Sequence, residues 1–309
     1  MYTKISIAGM CRMEWLKLRK TGIGGSDAGA ICGLNPYASP MSVYLDKTSD
    51  TIRDDDNEAM RIGRDLESYV AQRFCEATGL KVRRSNYMYR SEEYPFMLAD
   101  VDRLIVGEDA GLECKTVSPY GADKWKDGNI PQHYLMQCCH YMYVTGRRSW
   151  YLAVVILGQG FQYVKIDWDN DLIQSMVRTE YDFWNNYVIP GILPPPDGSD
   201  VCDEVLEQYF HVSKKAGTVP LVGFDEKLDR RLELTQQIKE LERQQKQIDQ
   251  EIKIFLGESE LAASERYKVA WQMVTTNRLD TKRIKTEQPQ LYQDYLVENH
   301  ARKFTVKAA

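Results

Sequence analysis

The residues best suited to chemistry lie in the segment LADVDRLIVGEDAGLECKT, where Asp102 is followed by Glu113 and Lys115. Side chains two apart on a strand point to the same face, so Glu113 and Lys115 should share a face while Cys114 points away. The stretch between Asp102 and Glu113 contains Gly107 and Gly111 and predicts a hairpin loop, which would place Asp102 beside Glu113. Two carboxylates could hold Mg²⁺, and the ammonium could orient or deprotonate a water or neutralise a phosphate. The same short pattern also fits an ordinary salt-bridged hairpin.

Three further segments accompany this one, and the order of all four along the chain is more specific than any single segment. They are LRKTGIGGSDAGAICGLNPYASPMSVYLDKT at 18–48, IGRDLESYVAQRFCEATG at 62–79 and IPQHYLMQCCHYMYVTG at 130–146. Together these segments resemble the YqaJ-type viral recombinase family, the exonuclease group that includes phage lambda exonuclease. The resemblance covers residues 12–190. It implies an α/β fold with a PD-(D/E)XK restriction-endonuclease-like core, a mixed sheet flanked by helices.

The resemblance also implies a metal centre. Asp102 and Glu113 would hold Mg²⁺, with Mn²⁺ as a substitute, assisted by Glu67 and by the carbonyl of Cys114. Lys115 would orient the attacking water. Two ions about 3.5–4 Å apart would activate the nucleophile and stabilise the leaving oxygen. Without the resemblance, Glu67 would be interpreted as an ordinary solvated residue of a helix.

One departure from the resembled family lies beside Asp102. Val101 and Arg103 stand where relatives have Pro and Gly, which changes the turn and leaves Asp102 as the better-aligned ligand. Asp100 precedes Asp102 by two residues, so on a continuous strand it would face the same side and serve as an auxiliary group.

Gln137 and Tyr134 lie three residues apart on a predicted helix and therefore face the same way. The resemblance implies that they hold the catalytic strand and the scissile phosphate. The alternative for Gln137 is a buried polar group that needs partners. His133 and His140 flank it at metal-ligand spacing, but no third strong ligand is in register, so a packed or surface histidine pair is favoured over zinc.

Arg19 and Ser26 flank a glycine-rich turn, and the resemblance implies that they contact a terminal 5′ phosphate. A guanidinium binds phosphate through two hydrogen bonds, and Ser26 is predicted to cap the following helix, where anions are favoured. The alternative is plain capping by Ser26 beside a solvated basic cluster.

The composition is that of an ordinary globular protein, with 309 residues, 43% hydrophobic and 28% charged. The sequence shows no long apolar run and no signal-peptide pattern, which predicts a cytoplasmic protein of a bacterium or phage-infected host with no membrane partner. An odd count of seven cysteines without CxxC spacing predicts reduced thiols. Some nucleases of the resembled superfamily carry an iron–sulfur cluster on one early cysteine and a late cysteine cluster, and because only Cys202 lies beyond residue 139 here, no cluster is predicted. The net charge of −5 argues against a broad DNA-coating surface, although residues 266–309 hold nine Lys or Arg and only four Asp or Glu.

Hydrophobic periodicity predicts an α-β-β-β-α-β core. The predicted helices are 57–78, 131–145 and 170–188, and the predicted strands are 81–89, 96–105, 111–117, 149–157 and 161–167. Three regions follow from this pattern. Residues 1–192 are predicted to form the nuclease domain, 193–224 a linker marked by the Pro-rich ILPPPDG at 192–198, and 225–309 a C-terminal extension, a helical hairpin or coiled coil with a small basic α+β tail.

The extension begins with a heptad-like helix at 225–256. Its apolar seam fits either a helical hairpin packed on its own chain or an intermolecular coiled coil. Strands near 267–276 and 303–307 are predicted to pair around a small helix at 281–297.

The candidate site residues and the resemblance together predict a Mg²⁺-dependent exonuclease of double-stranded DNA, and the resemblance implies 5′–3′ digestion in phage or prophage recombination. The resemblance implies a homo-oligomer and a single-strand annealing protein as a partner. Two alternatives stay open. One is an endonuclease on the same fold, and the other is a non-catalytic DNA-binding recombination partner.

Overall fold

The chain folds as two units, Met1–His211 and Val212–Ala309. The computed structural model describes residues 1–52, 57–212, 218–298 and 302–307, so parts of the predicted linker and tail lie outside the described residues. The division into domain, linker and tail stays a prediction. One helix inside the predicted linker, Asp200–Tyr209, belongs to the first unit.

The first unit alternates helices and strands. Its helices are α1 (Arg12–Lys20), α2 (Gly25–Ile31), α3 (Pro40–Thr48), α4 (Glu58–Thr78), α5 (Gln132–Thr145), α6 (Asn170–Phe183) and α7 (Asp200–Tyr209). Its strands are β1 (Tyr2–Ser6), β2 (Ile23–Gly24), β3 (Val82–Arg84), β4 (Tyr87–Ser91), β5 (Met97–Asp100), β6 (Arg103–Ile105), β7 (Ala110–Val117), β8 (Ser149–Ile156) and β9 (Gly160–Asp167). A 3₁₀ segment spans Pro119–Gly128, and a π turn, Trp184–Val188, follows α6.

A five-stranded sheet of order β3-β6-β7-β8-β9 is the centre of this unit. Only β7 and β8 run parallel, and their crossover contains α5. Strand β8 reads SWYLAVVI and is buried along its whole length, because helices cover both faces of the sheet. Val70 and Phe74 of α4 pack on one face, and Met142 of α5 belongs to the apolar cluster on the other. The mixed sheet between helices confirms the predicted fold class.

A second sheet of order β1-β4-β5-β2 corrects three predictions. The predicted strand 81–89 is two strands, because β3 lies in the five-stranded sheet and β4 lies in this one. The predicted strand 96–105 is two strands, since β5 ends at Asp100 in this sheet and β6 begins at Arg103 in the five-stranded sheet. The chain passes between the sheets at Val101 and Asp102. Strand β1 was not predicted, because it is short, polar and mostly exposed.

The second unit is dominated by one helix, α8 (Asp225–Leu256), which matches the predicted 225–256 segment. It is followed by the pair β10 (Leu261–Ala263) and β11 (Lys268–Ala270), then by α9 (Thr281–Glu287) and α10 (Pro289–Asp294). The predicted pairing of 267–276 with 303–307 is wrong, because β11 pairs with the segment just before it and 303–307 is not a strand.

The apolar seam of α8 is exposed at Leu234, Ile238, Leu241, Ile248 and Phe255. The segment is one continuous helix and does not fold back on itself. Among the described residues, no helix has the length and apolar character needed to cross a membrane.

Candidate active site

The hairpin of β6 and β7 brings Asp102, Glu113 and Lys115 together. Arg103 pairs with Leu112 across the hairpin, so Asp102 lies opposite the next residues of β7. Its Oδ2 atom accepts a 2.8 Å hydrogen bond from the Cys114 backbone N–H. Lys115 Nζ lies 2.6 Å from Glu113 Oε1, which confirms that the two side chains share a face.

Helix α5 supplies the next contacts. The Gln137 amide donates to Glu113 Oε1 at 2.7 Å and to the Tyr141 hydroxyl at 2.9 Å. Lys115 Nζ lies 4.7 Å from the centre of the Tyr134 ring. Gln137 and Tyr134 therefore both contact side chains of β7. Tyr141 was not predicted, although its position four residues after Gln137 on one helix was a usable signal.

Glu67 reaches the same site from α4, and its Oε1 atom contacts two arginines. Arg103 Nη1 donates to Glu67 Oε1 and to the Asp102 backbone oxygen, the latter at 2.7 Å. Exposed Arg84 lies 3.8 Å from the same Glu67 oxygen. Arg103 is buried and was not predicted as a site residue, although a charged residue that opens an otherwise apolar strand was a usable signal.

The negative charges of Asp102 and Glu113 are only partly balanced by neighbouring groups. Burial, followed by the charges of Glu113 and Glu67, raises the pKa of Asp102 well above its usual range. Glu113 Oε2 is buried and has no hydrogen-bond partner among the residues that the structure describes. Both observations fit a cation-binding site, because a divalent ion would neutralise the two carboxylates and bind the unpaired Glu113 oxygen.

The protein ligands for such an ion would be few. Within the described residues, no three His, Cys, Asp or Glu side chains form a ready ligand group. Asp102 and Glu113 would therefore hold the ion with help from a backbone carbonyl, water and phosphate oxygens. That ligand set suits Mg²⁺, which keeps several waters and commonly binds through one or two carboxylates plus phosphate.

Asp100 points to a different partner. Its Oδ2 accepts a 2.7 Å hydrogen bond from Trp15 Nε1 on α1. Burial raises the pKa of Asp100, and the Trp15 hydrogen bond opposes that shift. Because β5 ends at Asp100, the predicted continuous strand that placed it beside Asp102 does not exist.

Arg19 and Ser26 also meet. Arg19 Nη2 donates to the Ser26 hydroxyl, and the guanidinium lies 5.5 Å from the Trp15 ring. The predicted N-cap is wrong, because α2 begins at Gly25 and places Ser26 inside its first turn. The Gly24 N–H donates instead to Asp27 Oδ2 at 2.9 Å. Ser26 is therefore exposed and not engaged in capping.

A buried ion-pair cluster lies behind this pair. Asp27 Oδ2 is 2.8 Å from Lys47 Nζ, an ion pair without hydrogen-bond geometry, and Asp27 Oδ1 is 3.4 Å from Arg19. Burial opposes the charge of Asp27, yet Lys47 and Arg19 together hold the pKa of its carboxyl well below the usual range. Asp27 and Lys47 were not predicted, because Lys47 comes from a helix twenty residues away in sequence.

Tyr141 joins the two groups of residues. A Cβ added at Gly25 would overlap the Tyr141 ring, so the glycine-rich turn packs directly on this side chain. Gln137 links the same tyrosine to Glu113. The turn that carries Ser26 and the acidic centre are therefore neighbours through one ring.

The two histidines of α5 are separate from this chemistry. His140 is fully buried and bonds Glu180 and the Leu98 carbonyl, whereas His133 contacts the Tyr37 and Tyr134 rings. This confirms the expected packed roles. The seven cysteines are unpaired, with Cys138, Cys139 and Cys202 buried.

Known proteins share this sequence pattern. Residues 14–148 match the YqaJ-like viral recombinase domain. A protein of Bacillus subtilis (strain 168) described as uncharacterized protein YqaJ is 39% identical over 302 residues, covering 96% of this chain and 95% of that protein.

Solved structures resemble the fold. An alkaline exonuclease from Laribacter hongkongensis superposes with a TM-score of 0.50 at 17% identity, covering 65% of this chain and all of that one. A phage-related exonuclease from Haemophilus somnus 129PT gives a TM-score of 0.41 at 14% identity, covering 57% and 99%. At this identity the first likeness shows a shared fold.

Proposed function

The chain belongs to the YqaJ-like viral recombinase family, and from that premise we propose that it is a divalent-metal-dependent deoxyribonuclease that degrades double-stranded DNA from 5′ ends. The family and the exonuclease fold support a nuclease role. The metal, the substrate and the direction of digestion are the proposal.

One observation carries it. Asp102 and Glu113 converge beside Lys115, and a buried Glu113 oxygen faces no donor. A structural salt bridge would leave no such oxygen, because an unpaired buried acceptor is costly. A binding site for a cation and a phosphate accounts for this unpaired oxygen.

The residues of the site would then have separate roles in binding the metal and orienting its ligands. Asp102, Glu113 and the Cys114 carbonyl would hold the cation, with Glu67 at the edge of the centre. A divalent ion there would polarise the phosphate and favour ionisation of a water. Gln137 fixes the Glu113 carboxylate through its 2.7 Å hydrogen bond and so orients the ligand.

We assign Lys115 the role of orienting the attacking water or the phosphate, and not the role of a general base. Burial lowers its pKa, but Glu113 and Tyr134 more than offset this, so the pKa of Lys115 lies above its ordinary value. A protonated ammonium can donate to a water or a phosphate oxygen but cannot accept a proton. Tyr134 packs against it and restricts its position.

Arg19 and Ser26 would bind the terminal 5′ phosphate. Ser26 is exposed, and Arg19 is oriented by Asp27 and by the face of Trp15. A guanidinium and a hydroxyl suit phosphate oxygens, and a terminal phosphate carries more charge than one within the strand. Because Tyr141 packs on Gly25, next to Ser26, and bonds the same Gln137 that bonds Glu113, end binding and cleavage would occur side by side.

In this proposal the biological substrate is a linear duplex end, and digestion leaves a single strand for an annealing protein. The enzyme would act in the cytoplasm, in phage or prophage recombination, with assembly into a homo-oligomer. Mn²⁺ would replace Mg²⁺.

The test uses linear and covalently closed duplexes, with the linear DNA labelled on either strand end. We expect Mg²⁺-dependent loss of 5′ label as mononucleotides, an intact circle, and no digestion in excess EDTA. Nicking or linearisation of the circle would favour an endonuclease. Binding without cleavage under every metal would favour a non-catalytic recombination partner.

A further inference from the structure

A buried arginine shares the candidate metal centre. Arg103 is 6% exposed and directly follows Asp102. Its Nη1 atom donates to the Glu67 carboxylate and to the Asp102 backbone oxygen, and its Nη2 atom lies 3.4 Å from the Ser68 hydroxyl. An arginine keeps its charge in proteins, so this guanidinium is a permanent cation inside the centre.

This cation has a definite partner. Three carboxylates converge at the centre, and Lys115 already compensates Glu113 at 2.6 Å. Glu67 is compensated by Arg103, and exposed Arg84 adds a weaker contact at 3.8 Å. Because the Arg103 guanidinium is buried, separating Glu67 from it would leave a buried charge unpaired, which is strongly unfavourable.

A metal ion bound to Glu67 would lie beside the buried Arg103 guanidinium and be repelled by it, so Asp102 and Glu113 are the favoured metal ligands. Two carboxylates are enough for one Mg²⁺ that keeps waters and phosphate oxygens as its other ligands. A second ion about 3.5–4 Å away would need further carboxylate oxygens, and Glu67 is the third carboxylate of the centre.

We propose that the centre holds one divalent cation and that Arg103 supplies the second positive charge in place of a second ion. This inference rests on the proposed nuclease function. Arg103 is a positioning residue that acts through Glu67, since it holds that carboxylate on its own guanidinium and away from the metal. The two-ion arrangement expected from the sequence resemblance would not apply to this chain.

Metal binding, measured without DNA, tests the proposal. Mn²⁺ is titrated into the full chain, and bound ions are counted by calorimetry and by electron paramagnetic resonance. We expect one ion per chain. Asp102→Asn should weaken binding at least about tenfold, whereas Glu67→Gln should change the affinity by less than about twofold.

The arginine is tested by Arg103→Gln, with Arg84→Gln as the matched control that removes a guanidinium near the same Glu67 oxygen. We expect Arg103→Gln to free Glu67 and to gain a second, weaker Mn²⁺ site, whereas Arg84→Gln should keep one. A folded Arg103→Gln protein that still binds one ion would overturn the proposal. If this variant does not fold, the Glu67→Gln and Asp102→Asn titrations decide.

Two ions in the wild type, or loss of an ion in Glu67→Gln, would overturn the proposal and leave the nuclease function standing. No bound ion and no cleavage of linear duplex would overturn both. The cleavage assay run beside the titrations separates these cases.

Discussion

The two oxygens of the Glu113 carboxylate have different surroundings. Its Oε1 atom receives Lys115 at 2.6 Å and Gln137 at 2.7 Å, while its Oε2 atom is buried without a partner. One oxygen is thus held rigidly and the other is left for a ligand. This asymmetry is what a preorganised metal ligand requires, because the geometry is set before the ion arrives.

Replacing either charged residue should abolish cleavage. Lys115→Ala and Glu113→Gln each remove a charge that the transition state needs, so we expect a loss of about a hundredfold or more in kcat. Initial rates on linear duplex measure this. Lys165→Ala is the control, since Lys165 is an exposed lysine on a strand of the same sheet. Wild-type turnover in Lys115→Ala would refute the site assignment.

Arg19→Ala should abolish discrimination between DNA ends. A charge-assisted hydrogen bond contributes roughly 1.5–3 kcal/mol, so digestion of 5′-phosphorylated ends should slow about ten- to a hundredfold. Digestion of 5′-hydroxyl ends should change far less. The fold should survive, because Asp27 keeps Lys47 at 2.8 Å. The measurement is the ratio of initial rates on the two ends.

Lys17→Ala provides the control for that prediction. Lys17 lies on the same helix, carries the same charge and is exposed. Loss of end preference in both variants would indicate a general electrostatic effect. A preference retained in Arg19→Ala would mean that Arg19 is only a surface charge.

Among the elements, α5 connects the site to the core. Its Gln137 and Tyr141 face the acidic centre, and its His140 is fully buried with Nδ1 2.9 Å from Glu180 of α6 and Nε2 2.9 Å from the Leu98 carbonyl. Because both ring nitrogens face acceptors, the imidazole is best satisfied when it is protonated. The pair therefore ties α5 to α6 and to β5.

This pair predicts a pH-dependent stability. Burial disfavours the imidazolium, but Glu180 and the Leu98 carbonyl outweigh it and raise the pKa of His140. Burial likewise raises the pKa of Glu180. Both shifts mean that the folded state keeps protons to higher pH than the unfolded chain does. The contribution of His140 is full below an unfolded histidine pKa of about 6.5 and declines as the pH rises through the native value, whereas that of Glu180 declines already above an unfolded glutamate pKa of about 4.3.

Glu180→Gln tests this prediction. Without its carboxylate partner, the buried imidazolium is left uncompensated, so the variant should lose roughly 3–5 kcal/mol of unfolding free energy at pH 6. The difference from wild type should shrink towards pH 9. Denaturant unfolding at each pH measures it, and Glu92→Gln, which changes an exposed carboxylate, should show no such trend. A constant difference between pH 6 and 9 would contradict the protonated pair.

A contact could be predicted from the sequence when the interacting residues lie close together in the chain. Glu113 and Lys115 share a face because strand geometry has a period of two, and Tyr134 and Gln137 do so because helices repeat every 3.6 residues. Such relations are local. The helix α8 was predicted for the same reason, since its periodicity persists over 32 residues.

Contacts between distant elements could not be predicted from one sequence. Trp15 reaches Asp100 across 85 residues, and Glu67 reaches Arg103 across 36. Neither residue type nor spacing marks these partners. The break between β5 and β6 was missed for a related reason, because an apolar run looks the same whether it lies in one sheet or crosses between two.

At the scale of the whole molecule, the packing of the first unit suggests a boundary later than residue 192. Helix α7 packs Cys202 and Val205 against Met41. A chain ending at 211 should therefore fold, whereas one ending at 192 would expose that cluster. Burying a side chain such as Val contributes about 1.5–3 kcal/mol, so the shorter chain should be less stable by a few kcal/mol. Thermal and denaturant unfolding of the two truncations compare them, and equal stability would place the boundary at 192.

The charge is distributed unevenly, which predicts a role for the second unit. The net charge of the chain is −5, yet residues 266–309 hold nine Lys or Arg and four Asp or Glu. A chain ending at 211 should keep some cleavage but bind duplex DNA more weakly and digest fewer nucleotides per encounter. For every phosphate that the truncated chain no longer neutralises, the slope of log affinity against log salt should fall by about 0.9. Binding at several salt concentrations, and product length under single-encounter conditions, measure both effects.

A full-length variant separates charge from the mere presence of the second unit. Lys282, Arg283 and Lys285 lie on α9, and replacing all three with Gln removes three charges while α8 keeps its exposed apolar seam. If the basic tail binds phosphates, this variant should show the reduced salt slope and shortened digestion of the truncation. If the seam of α8 acts instead by self-association, the variant should behave as wild type, and only the truncation should change mass by light scattering. A truncation that keeps wild-type salt dependence, product length and mass would mean that the second unit serves neither DNA binding nor assembly.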